Sequence, residues 1–217
     1  GSRTVAIGDS ALASQNFTSA TDSYNVGVGY NAGDNVSTGT NNTFIGGLAG
    51  DGTDNGNGNT AVGKGALSAN CADSNTAIGT SAGAAITGNS NVAIGAGAMS
   101  SATSDDRAVA IGLNALATMS NTTIEDNYNV AVGYGSGYNV TTGYWNTMVG
   151  GEAGSSLSTG HNNLLLGKDA GITGSPGGNF TSHSERIVLG DHDIAEANIQ
   201  VDWTVASDQR DKTDFTA

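Results

Sequence analysis

Cysteine and proline each occur once in this chain of 217 residues. Cys71 alone cannot form an internal disulfide, so no covalent staple holds the fold. Charged residues are only 12% of the chain and aromatics 6%, too little charge for a solvated disordered segment. Cations are scarcer still: Lys and Arg number 7 against 20 Asp and Glu, a net charge of −13. That balance argues against a nucleic-acid partner, whose phosphates demand clustered Lys and Arg, and against anionic lipid. No apolar run approaches the roughly 20 residues of a membrane helix, and no signal-peptide pattern is seen. The opening Gly1-Ser2 reads as a cloning scar.

Glycine is abundant, at 34 residues, but without the G-X-Y period of collagen. It recurs inside a phrase: GNTAVGKGAL from Gly58, SNTAIGTSAG from Ser74, SNVAIGAGAM from Ser90. The Gly that closes the strand-like part falls at 8, 29, 46, 63, 79, 95, 112, 133, 150, 167 and 190. Most spacings are 16 or 17, two are 21 and the last is 23. A fixed period over most of a chain means a solenoid or array. Ile, Val or Leu precedes the Gly in all eleven copies, Ala follows it by three in nine, and Asn precedes it by four in eight. Helix is excluded because Gly recurs in every unit and the apolar residues are β-branched.

Each copy therefore reads as one coil with two short strands. The first is the NTAIG phrase; the second carries the Ala. Side chains one and three before the Gly share a strand face, read here as the core face. On that reading Thr43, Thr60, Thr76 and Thr147 point inward with the Ile column. Stacking at about 4.8 Å makes eleven coils roughly 50 Å long, with the Asn column as a turn ladder. A longer repeat is superimposed: residues 24–50 match 128–154, 104 positions on, at 17 of 27 places. The expected organisation is a repeat shaft over 3–174, with duplicated blocks 3–70 and 107–174, then a β tip or neck over 175–206. The fold class is an all-β parallel solenoid or β-roll. Its narrow, Ala-lined coils bury little apolar surface, which favours packing against copies of itself.

The phrases TVAIGDSALA (4–13), NVAIGAGAM (91–99) and AVAIGLNALA (108–117) resemble the head repeats of trimeric autotransporter adhesins, over about residues 3–171. That resemblance implies three left-handed β-rolls side by side, although these coils are longer than the usual adhesin repeat. Near the C-terminus, NIQVDWTV (198–205) alternates as a strand does, and SDQRDK (207–212) follows. The latter is similar to the opening motif of the intramolecular chaperone autoprotease domains that end many phage tail fibres. Ser207, Asp208, Arg210 and Lys212 match its S-D-x-R-x-K pattern. The resemblance implies autocleavage between Ala206 and Ser207. Residues 207–217 would be only the start of that domain, so no peptidase activity is expected. The stretch as a whole resembles the ends of tail fibres from cyanobacterial phages.

No catalytic constellation stands out. Tyr134, Tyr138, Tyr144 and Trp145 cluster within twelve residues and are glycan-binding candidates, with packing between coils or chains as the plainer reading. For a metal, Asp51, Thr53 and Asn55 loosely space their oxygens as a calcium loop does but lack its distal Glu; an ordinary polar turn is the plainer reading. On a trimer axis one histidine per chain would ring a metal, and His192, in DHD, is the best placed for it, with a solvated turn as the plainer reading. No cofactor is expected beyond a calcium candidate. The function expected is a structural and adhesive segment of a homotrimeric phage tail fibre, extracellular on the virion, meeting a host envelope glycan. A bacterial autotransporter head and an ice-binding solenoid are the alternatives.

Overall fold

The computed structural model describes residues 3–104, 106–120, 126–196 and 198. The autoprotease-like motif at Ser207, Asp208, Arg210 and Lys212, with Ala206, and most of the 198–205 run lie outside them. The described chain is all-β. Eleven three-residue strands, from β1 (Val5–Ile7) to β11 (Ile187–Leu189), form one parallel sheet in strict sequence order. Pairing is in register throughout: Thr76 of β5 (Thr76–Ile78) faces Val92 of β6 (Val92–Ile94), and Ile78 faces Ile94. Each repeat thus climbs one strand spacing, and the chain is a β-solenoid. The sheet continues beyond residue 174, because β11 keeps register with β10 (Leu164–Leu166) across the longest spacing.

The strand faces are opposite to the expectation. The central residue of the strand is the buried one: Phe44, Ala61, Ala77, Ala93, Ala110, Ala131, Met148 and Leu165 have no exposed surface. The flanking Ile and Thr columns look outward, with Ile45 40%, Ile78 41% and Ile111 37% exposed. The physical reason is room. The interior of a coil this short is narrow, and it closes when Ala on the sheet meets Ala three after the Gly (Ala66, Ala82, Ala98), also fully buried. A large side chain fits on that side only where the facing wall gives up its own, as Gly50, Gly154 and Gly171 do opposite Phe44, Met148 and Leu165; a column of Ile opposite Leu67, Met99 and Leu116 would overfill the space.

The opposite wall also differs from the expected second strand. Its residues are turns, with alternate positions at positive φ: Asn31 (52°) then Gly33 (62°), Ser81 (55°) then Gly83 (58°), Asn114 (56°) then Leu116 (48°). Repeated left-handed residues rule out a β-strand. Each non-glycine among them costs roughly 1–2 kcal/mol. Regular bonds between coils offset this: Leu67 N donates to Ala82 O at 3.1 Å, Gly83 N to Ala98 O at 2.8 Å, and Met99 N to Ala115 O at 2.9 Å.

Two columns lock the stack. The closing glycines sit so near one another that a Cβ on Gly79 would lie 2.7 Å from the backbone of Gly95, at φ +134°. No other residue fits there. The asparagines form a buried ladder. Asn75 Oδ1 accepts from Asn91 N (3.0 Å), Asn59 Oδ1 accepts from Asn75 N (2.8 Å), and Asn75 Nδ2 donates to Gly88 O (2.9 Å).

Candidate functional site

The outward side of the sheet is the most extensive candidate surface. Every outward strand position is Val, Ile, Leu or Thr, from Val5 and Ile7 to Ile187 and Leu189. None carries charge, in a chain with 20 acidic residues. An all-parallel sheet ordinarily has both faces covered, and among the described residues this one is covered on the inside only. Thr43, Thr60, Thr76 and Thr147 lie on this face, half-buried among the aliphatics.

The aromatic candidates fall into two groups. Tyr134 and Tyr138, 57% and 40% exposed, line a cleft of about 230 Å³ with Asn114, Asn139, Glu152 and Ser155. Tyr144 lies elsewhere, stacked on His161 with centroids 4.7 Å apart and 3° between planes. Trp145 meets Tyr144 edge-on at 5.0 Å and lines a separate groove with Thr147, Leu164 and Ile187. Asn114 and Glu152 were missed by reading along the chain, because they belong to the coils before and after Tyr134. The repeat itself holds the signal: Asn114, Gly135 and Glu152 each stand two places after their coil's closing glycine.

The duplication is visible in three dimensions as a repeated brace. Arg3 pairs with Asp22 (2.6 Å) and lies over the Tyr24 ring, 5.3 Å from its centroid. Arg107, 104 residues on, pairs with Asp126 and lies 5.9 Å from the Tyr128 centroid.

The calcium-loop candidates do not converge. Thr53 is fully buried and its hydroxyl meets Cys71 Sγ at 3.1 Å, while Asn55 is exposed. Burial pushes the Cys71 thiol up, keeping it protonated in the core. Burial likewise pushes the Asp51 carboxyl up; backbone amides of Asp51 and Gly52 oppose this and Asp34 adds to it. His192 does have acidic neighbours: ligand atoms of Asp191, His192 and Asp193 lie within 4.8 Å of one another. His192 Nε2 is 3.2 Å from Asp193 Oδ1, so nearby carboxylate and imidazole groups offer a set of the kind that takes a divalent cation.

Comparisons with protein-family models, with curated proteins and with solved structures find no match to this chain.

Proposed function

We propose that this chain is a structural and adhesive segment of a homotrimeric phage tail fibre, exposed on the virion and directed at a host envelope glycan. The observation that carries the reading is the outward Val/Thr and Ile/Val face of the sheet. It is uncharged and repeated at one strand spacing from β1 to β11. A second copy presents the same columns at the same spacing, so the surface is complementary to itself. Three copies, rather than two, follow from the likeness of the TVAIGDSALA phrases to trimeric adhesin heads. The tail-fibre assignment draws on Ser207 to Lys212 and their likeness to the chaperone junction. Three equal faces raise avidity without a tight single site.

The face itself supplies the test. Ile78→Lys with Ile111→Lys places charges in its middle, and sedimentation should then show a single chain where the unaltered protein shows an assembly. A double variant that sediments as the unaltered protein removes the face from the interface.

One observation favours a second reading. Thr43, Thr60 and Thr76 point outward on three adjacent strands, with Thr147 further along the same column, and hydroxyl and methyl groups at one strand spacing are the kind of surface that orders water. A monomer that suppresses ice recrystallisation would favour ice binding over the fibre.

A further inference from the structure

We propose that the cleft between Tyr134 and Tyr138 binds one pyranose ring of a neutral glycan. The inference rests on the adhesive part of the function above and is independent of the trimer.

Three successive coils build the cleft. Asn114, Gly135 and Glu152 share one column, and all three have φ of 56° to 57°. Backbone bonds between the coils fix their spacing: Gly135 N donates to Leu113 O (2.9 Å), and Glu152 N to Tyr134 O (2.7 Å). Gly135 is the gap in that column. A Cβ on it would lie 3.6 Å from Glu152 Cγ, so any side chain there would enter the space beside Glu152. Tyr138 is held by its backbone, its N donating to Gly135 O (3.1 Å) and its O accepting from Thr118 Oγ1 (2.7 Å). Asn139 Nδ2 donates to Ser155 O at 2.8 Å.

The chemistry is that of sugar recognition. An exposed tyrosine ring offers an apolar face with a polar rim, matching the C–H face and hydroxyl edge of a pyranose. Asn114 and Glu152 supply an amide and a carboxylate for those hydroxyls. Drug-sized ligands occupy pockets of about 300–1,000 Å³; at about 230 Å³ this cleft suits a smaller unit, a single ring. The carboxylate and the net charge of −13 select against uronic and sialic acids.

The duplicated block provides an internal comparison. Tyr134 and Asn139 have identical counterparts in Tyr30 and Asn35. The other positions have changed: Gly135 stands for Asn31, Tyr138 for Asp34, Glu152 for Leu48, and Ser155 for Asp51. The copies therefore share the coil but not the cleft: the first block fills the gap with Asn31 at φ 52° and has no second ring.

This comparison also supplies variants that the fold already accepts. Gly135→Asn and Tyr138→Asp restore first-block residues; Tyr30→Ala serves as the control. Saturation-transfer NMR on the full chain would use methyl glucoside, methyl galactoside, methyl mannoside and N-acetylglucosamine as probes, with glucuronic acid alongside. At least one neutral sugar should bind at millimolar concentration and glucuronic acid should not. Either variant should weaken binding about tenfold or more, and the control should leave it unchanged. Absence of binding by every neutral probe, equal binding of glucuronic acid, or undiminished binding by both variants would overturn the inference. Solution mass is read on the same samples. An assembled protein that binds no sugar refutes the cleft alone, while a monomer that binds refutes the fibre alone.

Discussion

A single buried asparagine serves three coils at once in this chain. Asn75 takes a proton donor from the coil above, bonds the carbonyl of Gly88 and rests its own amide on Asn59. Asn75→Ala strands the Asn91 N–H and the Gly88 carbonyl, and a buried unsatisfied group costs about 1–3 kcal/mol. A loss of about 2–4 kcal/mol in denaturant unfolding is expected, since Gly88 lies near a turn that water can reach. Asp51 shows the opposite case, a carboxyl whose buried Oδ1 has no hydrogen-bond partner among the described residues. Its raised pKa means that the folded chain holds the proton more tightly than the unfolded one. The contribution is therefore favourable below the unfolded pKa and is lost as pH rises through the higher folded value. Asp51→Asn should raise the melting temperature at about pH 7 and have little effect near pH 3, where both states are protonated. A variant with the same shift at both pH values would refute this account of Asp51.

In several coils the core is fitted by exchanging bulk between its two walls, while the Ala77–Gly83 and Ala131–Gly137 coils are filled by Ile86, Leu67, Leu116 and Met148 instead. Where the sheet side carries Phe44, the facing wall has glycine: a Cβ on Gly50 would lie 2.4 Å from the Phe44 ring. Where the sheet side carries Ala61 or Ala110, the facing wall carries Leu67 or Leu116. Phe44→Ala should cost about 3–5 kcal/mol. Gly50→Leu alone should overpack by about 1–3 kcal/mol. The double variant recreates the Ala–Leu pairing and should be more stable than the sum of the two losses, read by thermal unfolding. Additive losses would show that the walls are not matched. Much of this element was legible beforehand. The period, the parallel stack and the Asn ladder all follow from columns of Gly, Ile and Asn. Which strand face turns inward was not, because Ala and Ile are both apolar and the alternation has no polar partner to mark the outside. The turn-built wall was hidden as well, since Leu116, Ser81 and Asn114 occupy left-handed positions where only glycine signals them. At the candidate cleft, the tyrosines stood out because aromatics are rare. Glu152 and Asn114 did not, because neighbours in a stack lie one period apart in the chain.

Taken whole, the molecule is a ladder whose inner face is closed by its own Ala columns and whose outer face is apolar from end to end. Val5, Ile7, Ile187 and Leu189 at the two ends are 46%, 60%, 65% and 47% exposed. A surface of this composition, continuous over eleven strands, is of the kind that marks an interaction site. The proposed trimer, three copies around one axis, would cover it and would account for the absence of charge and for the regularity of the columns. The direct measurement is the mass of the protein in solution, by light scattering on a sizing column. The account predicts three times the 21.4 kDa of one chain. A stable species of 21.4 kDa would contradict it, leaving the outer face a surface for water rather than for a second copy.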